Sequence, residues 1–186
     1  MRNVIVSNLI SVDGLLAGPG GSIDWHVLND EFFDYANALL DRTDTLLYGR
    51  VTYEGMAAYW PMPQALADDG AMAQRMNAIH KVVFSTTLAQ ANWQNTRLVS
   101  GEAGAEVRRL KAQQGQDMVI FGSGRLVSSL TDLGLIDRYQ LFINPVILGS
   151  GVPEFSGLAQ AHKLRLLESK VFKTGVVLLA YAPAGQ

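Results

Sequence analysis

Met118-Val119-Ile120-Phe121-Gly122-Ser123-Gly124 is a short apolar run that stops at two glycines. A bounded run of this length reads as a strand covered on both faces. A helix is expected to follow from about Arg125 to Leu133. The same unit stands earlier in the chain, where the strand Thr45-Leu46-Leu47-Tyr48 ends at Gly49. There Thr52 to Tyr59 reads as a short helix, closed by Trp60-Pro61-Met62-Pro63 because proline cannot continue it.

Working outward, Val4 to Ile10 is apolar and rich in β-branched residues, and it runs into a turn at Asp13-Gly14. Pro19 and Gly14, Gly18, Gly20 and Gly21 give residues 13–22 the composition of a mobile loop, of the kind that often covers a site. Asn29 or Asp30 can cap a helix whose Phe32, Phe33, Ala36, Leu39 and Leu40 would face the sheet. Helices are expected over 71–79 and 102–113, and strands at Lys81 to Phe84 and Arg97 to Val99. Alternating strands and helices argue for an α/β domain with a largely parallel sheet flanked by helices on both faces. The end differs. Tyr139 to Leu148 reads as a long strand, and Leu164 to Phe172 with Val176 to Tyr181 flank Lys173-Thr174-Gly175 as an antiparallel C-terminal hairpin. No linker divides the chain, so residues 1–186 are expected to form one domain.

The 186 residues suffice for a sizeable core. Without cysteine, disulfides, thiolate metal sites and cysteine nucleophiles are excluded. The formal charge of -2, with no run of basic residues, argues against a nucleic-acid partner. No apolar stretch approaches a membrane span and Met1-Arg2-Asn3 does not open a signal peptide, so a cytoplasmic globular protein is expected. His26, His80 and His162 lack metal-ligand spacing, so no metal is expected. An apolar edge beside the long Tyr139 to Leu148 strand could serve a symmetric homodimer.

A strand that ends in glycine and feeds a helix presents unpaired N–H groups and a positive helix end, where phosphate binds readily. At the first such end Arg50 adds a charge and Thr52 a hydroxyl; at the second Gly122 and Gly124 carry no side chain. Each alone also reads as a plain turn, but two together suggest a dinucleotide. Val127 stands where the third glycine of the dinucleotide fingerprint would be, so this is not the standard Rossmann motif.

Ser11-Val12-Asp13-Gly14, Asp24-Trp25, Gly49 to Glu54, Val82-Val83-Phe84-Ser85, Val119 to Gly124 and Pro145 to Gly151 occur in the order and spacing of the dihydrofolate reductase superfamily, which residues 1–182 resemble. The likeness is closest to the reductase C-terminal domain of bacterial riboflavin biosynthesis, through the S-x-D-G opening and Leu148-Gly149-Ser150-Gly151. It implies the dihydrofolate reductase-like fold, NADPH as hydride donor and a small heterocyclic acceptor. It also implies that Gly49, Arg50 and Thr52 hold cofactor phosphates, that Gly122, Ser123 and Gly124 hold the pyrophosphate, and that Ser85 and Thr86 meet the 2'-phosphate. Leu16 and Ala17 would lie near the nicotinamide carboxamide.

In folate-reducing members an acid stands five positions after the loop tryptophan, and Trp25 leads in this way to Asp30. By that likeness Trp25 and Asp30 would contact substrate, and a half-buried Asp30 carboxyl would aid proton delivery. Asp30 also stands where a helix cap is expected. The expected activity is that of a 5-amino-6-(5-phosphoribosylamino)uracil reductase, with a dihydrofolate or pterin reductase and a non-catalytic NADP(H)-binding module as alternatives. Lys163 or Arg165 could anchor a substrate phosphate if the fold brings them to the pocket.

Overall fold

The computed structural model describes residues 1–185. In chain order its elements are β1 (Val4–Ser11), β2 (Leu15–Ala17), α1 (Asp30–Leu40), β3 (Thr43–Gly49), α2 (Arg50–Tyr59), α3 (Pro63–Asp68), α4 (Gly70–Ala78), β4 (His80–Phe84) and β5 (Thr96–Val99). These are followed by α5 (Ala103–Lys111), β6 (Asp117–Ile120), α6 (Gly124–Asp132), β7 (Arg138–Asn144), β8 (Val152–Pro153), β9 (Leu164–Val171) and β10 (Val177–Pro183).

Eight strands form one sheet in the order β5-β4-β3-β6-β1-β7-β10-β9. The first six run parallel, and β10 runs antiparallel to both of its neighbours. This is the mostly parallel mixed sheet expected from the sequence, with its antiparallel C-terminal pair. Alternation along β1 sends Val4, Val6 and Ile10 to the face covered by α5 and α6, and Ile5 to the face covered by α1, α2 and α4. Leu46, Leu47, Val119 and Ile120 are fully buried at the centre. Burial of each such side chain contributes roughly 1.5–3 kcal/mol, so the β3–β6 pair is a firm base for the turns that leave it.

Three expectations change. The strand that was to run from Tyr139 to Leu148 stops at Asn144, whose buried amide accepts the Val27 N–H at 2.8 Å and donates to the Phe142 carbonyl at 3.0 Å. Pro145 follows and has no N–H to extend the ladder. Pro63, expected only to close the preceding helix, also opens the short helix α3.

The third concerns the glycine-rich 13–22 segment, which is strapped down rather than free. β2 pairs antiparallel with β8, Leu15 opposite Pro153 and Ala17 opposite Val152. The Asp13 carboxylate accepts the Leu148 and Gly149 N–H groups at 3.1 and 2.7 Å. The Ser11 hydroxyl and these two amides hold its pKa down at about 2. Gly151 is required here, because a Cβ on it would collide with the Ala17 carbonyl oxygen.

β9 is an edge strand, and it leaves Leu164, Leu166, Leu167 and Val171 exposed. No helix among the described residues is long and apolar enough to cross a membrane. Those residues also hold no cluster of three or more metal-ligating side chains.

Candidate functional site

β3 and β6 are neighbours, with Leu46 opposite Val119 and Leu47 opposite Ile120. From the end of β3 the chain enters α2 on one face of the sheet, and from the end of β6 it enters α6 on the other. Adjacent parallel strands whose helices depart to opposite faces leave a crevice at their carboxyl ends, where ligands of open α/β sheets bind. Gly49 and Gly122 flank that crevice.

The two turns are bonded to each other. The Gly49 N–H donates to the Ser123 hydroxyl at 2.8 Å, and the Ser123 N–H donates to the Thr52 hydroxyl at 2.9 Å. Gly122 and Ser123 both have positive φ, 70° and 63°. At position 122 a Cβ would also approach the Thr52 methyl to 2.8 Å, so glycine satisfies both the backbone and its neighbour. At Gly124 a Cβ would meet the Pro153 carbonyl oxygen at 2.8 Å. Packing of the protein against itself therefore accounts for these glycines.

This revises which donors a ligand could use. The N–H groups of Gly49, Gly122 and Ser123 are already taken, the second by the Asn8 side-chain amide oxygen at 2.6 Å. What remains is the first turn of α2 and of α6, whose amides have no intrahelical acceptor; neither helix has a side-chain cap. Arg50 opens α2, is exposed, and shares its guanidinium with Glu54 at 2.8 Å. Arg125, which the sequence reading did not single out, is exposed in the first turn of α6. Uncapped amides with two arginines suit phosphate.

The other expected residues lie at varied remove. Ser85 follows β4, the strand beside β3, and its hydroxyl accepts the Thr87 and Leu88 N–H groups at 3.1 and 2.9 Å; Thr86 next to it is exposed. Leu16 and Ala17 lie in β2 and are half-buried. Trp25 donates its indole N–H to the Ser22 carbonyl at 3.1 Å and packs edge-on to His26. Burial pushes the His26 imidazole down to about 4, and its Nε2 is buried without a partner.

Asp30 is not the cap of α1. Asn29 is the cap of α1, its side chain accepting the Phe32 N–H at 3.0 Å, and Asp30 is the exposed first residue of the helix. It is not the half-buried carboxyl that the resemblance implied. Lys163 and Arg165 are not brought to the crevice either. They lie where β9 begins, opposite the end of β10 at the edge of the sheet, and Lys163 lines a cavity of about 160 Å³.

Two residues that the sequence reading passed over sit behind the second turn. Asn8 and Glu154 are each 1 % exposed, and the Asn8 amide donates to both carboxylate oxygens, at 2.8 and 2.9 Å. Burial raises the Glu154 carboxyl to about 7, partly offset by that hydrogen bond. One signal was available: an asparagine inside the apolar run Val4 to Ile10 must find a buried partner.

A sequence model of the RibD C-terminal domain matches residues 2–178. The chain belongs to the RibD C-terminal domain family. This family member is 29 % identical over 182 residues to the uncharacterized protein YyaP of Bacillus subtilis (strain 168), covering 97 % of this chain and 94 % of YyaP. Among solved structures it resembles a Shewanella sp. PV-4 protein whose name assigns it to riboflavin biosynthesis, with TM-score 0.76, 22 % identity and coverage of 98 % and 99 %. It also resembles the diaminohydroxyphosphoribosylaminopyrimidine deaminase/5-amino-6-(5-phosphoribosylamino)uracil reductase of Thermotoga maritima, with TM-score 0.70, 16 % identity and coverage of 98 % of this chain and 57 % of that one. Dihydrofolate reductase of Enterococcus faecalis, in complex with NADP(H), matches with TM-score 0.66, 15 % identity and coverage of 98 % and 96 %. The fold is dihydrofolate reductase-like.

Proposed function

We propose that this RibD C-terminal domain protein is an NADPH-dependent reductase of a small heterocyclic substrate, of the 5-amino-6-(5-phosphoribosylamino)uracil reductase type. The observation that carries the reading is the joined pair of turns, Gly49 to Thr52 and Gly122 to Gly124. It leaves two uncapped helix starts side by side at the switch point of the sheet. Family membership and the names of the Thermotoga and Enterococcus proteins support the reaction class and the cofactor.

On this reading the first turn of α2 and Arg50 hold cofactor phosphate, and the start of α6 at Gly124 and Arg125 holds the pyrophosphate. Thr52 and Ser123 act mainly by locking the turns together. Ser85 and Thr86 lie toward the 2'-phosphate, and Leu16 and Ala17 toward the nicotinamide carboxamide. When bound, the cofactor supplies hydride to the acceptor ring. The protein's own contribution on this reading is chiefly orientation.

The test is NADPH binding by fluorescence, followed by NADPH oxidation with 5-amino-6-(5-phosphoribosylamino)uracil and, separately, with dihydrofolate in the presence and absence of methotrexate. Oxidation with the pyrimidine alone is expected. Methotrexate-sensitive oxidation with dihydrofolate would replace the substrate assignment, and binding without turnover would make the protein a cofactor-binding module. Failure to bind NADPH well above micromolar concentration would end the reading.

A further inference from the structure

Glu154 is a buried carboxylate without a cation. Its side-chain partner is Asn8, and no lysine or arginine among the described residues forms an ion pair with it. Isolated buried carboxylates are costly, so a fold that retains one invites a functional explanation.

The geometry supplies one. Because both carboxylate oxygens accept from the Asn8 Nδ2, the amide is fixed with its oxygen toward the Gly122 N–H, at 2.6 Å. Gly122 and Ser123, both at positive φ, are thus held from behind by Asn8 and from the front by Thr52. The Glu154 backbone ties the same unit to the strap, its N–H donating to the Gly14 carbonyl at 3.0 Å. Residue 154 is therefore linked, through one or two bonds, both to the turn after β6 and to the segment that carries β2.

Few other ionisable groups lie on the elements around it. β1 and β2 contribute none. On α6, Arg125 is exposed and Asp132 is engaged by His162 and by the Ala159 N–H. On β7, Arg138 pairs with Glu168, and Tyr139, which senses the Glu154 charge, hydrogen-bonds Thr131 and has its pKa raised by burial. Asp13, beside Gly14, is held ionised by the Ser11 hydroxyl and the Gly149 and Leu148 amides. None of these neutralises Glu154.

We propose that Glu154 is a positioning residue for the Gly122–Ser123 turn, and that proton binding at its carboxyl is coupled to anion binding at the start of α6, into which that turn leads; this rests on the NADPH reading above. A pyrophosphate arriving at the start of α6 adds negative charge near a buried carboxylate that has no cation, so it favours the protonated form. Coupling of two binding equilibria is reciprocal, so protonation of Glu154 favours the cofactor. Burial already places the carboxyl at about 7, where modest coupling is visible near neutral pH.

The experiment measures NADPH affinity by fluorescence from about pH 6 to about pH 8 for the intact chain and for Glu154→Gln. It also follows the Gly122 amide resonance over the same range without cofactor. The native protein is expected to bind NADPH about three- to tenfold more weakly at the upper pH, since one unit of coupled pKa shift is worth tenfold. The Glu154→Gln profile should keep only the part due to the cofactor's own phosphate, which titrates near about pH 6. The Gly122 resonance should move with a near-neutral midpoint in the native chain and not in the variant. Coincident affinity profiles for the two proteins, or a Gly122 resonance that does not titrate in the native chain, would overturn the inference. If the native chain binds no NADPH at any pH, the reductase reading and the cofactor coupling both fail. The Gly122 titration, which needs no ligand, then decides whether Glu154 positions the turn, and it does so even if Glu154→Gln does not fold.

Discussion

Ser123 and Gly49 stand 74 residues apart in sequence, yet the Ser123 hydroxyl accepts the Gly49 N–H at 2.8 Å. The turn that ends one strand thereby satisfies the turn that ends its neighbour. Ser123→Ala removes the acceptor and strands a partly buried N–H, so a loss of about 1 kcal/mol is expected in urea unfolding. Ser123→Gly loses the same bond but relieves a left-handed φ of 63°, and should recover about 1 kcal/mol of that loss. If the two variants unfold at the same urea concentration, the strain at this residue is not what the geometry indicates.

Arg50 separates binding from stability. Its partner Glu54 is exposed, and an exposed pair one helical turn apart is worth roughly 0.3–0.5 kcal/mol. Arg50→Ala should therefore leave the unfolding midpoint nearly unchanged. In the proposed function it removes a charge-assisted bond to phosphate, so NADPH affinity should fall about tenfold, an effect of about 1.4 kcal/mol. Arg50→Lys should lie between, because a single ammonium replaces a planar fork of donors. Unaltered NADPH affinity in Arg50→Ala would move the phosphate elsewhere, with Arg125 next to be tested.

The strand and helix alternation was legible because each unit carries its own local signals, as in Met118 to Phe121 followed by Gly122. The same holds for the C-terminal hairpin, whose turn has Gly175 at a φ of 88°. The β2–β8 pair was not legible. It consists of three residues facing two, joined across more than 130 positions, and no periodicity extends over so few residues. Glycine-rich composition suggested a loose loop, yet Gly151 is there so that two backbones can approach. The glycines read as phosphate sites have a second reason to be there, since contacts with Thr52 and Pro153 already require glycine at positions 122 and 124. Glu154 was hidden for a related cause: its burial follows from Asn8 and the start of α6, and nothing adjacent in sequence announces either.

His26 gives the fold a pH dependence of definite sign. Burial lowers its folded pKa to about 4, below the value near 6.5 of an unfolded chain. The unfolded state therefore takes up the proton first, and stability from the neutral ring is fully present above about pH 6.5 and lost as pH falls toward about 4. Melting temperatures measured across this interval should decline in the native protein. The slope should be smaller in His26→Phe, which keeps an aromatic ring against Trp25 but cannot titrate. Parallel curves would show that His26 titrates in the fold as it does in the unfolded chain.

Asn29 takes the cap that the sequence left to either Asn29 or Asp30. A side-chain acceptor at the cap satisfies an amide of the first turn, and the structure gives that bond to Asn29. Asn29→Ala is therefore expected to lower stability by about 1 kcal/mol. Asp30, one residue on, keeps only a weak attraction to the positive end of α1, so Asp30→Asn should cost about 0.3–1 kcal/mol at low salt and less as salt screens it. Its side chain is exposed at the helix start, so Asp30→Asn should retain turnover with the pyrimidine substrate. A loss of turnover by a hundredfold or more in Asp30→Asn, with NADPH affinity and the melting temperature retained, would return the proton-delivery role to this residue; that is the order expected for removing a general acid. The three measurements together distinguish a cap, a dipole contact and a catalyst at adjacent positions of one helix start.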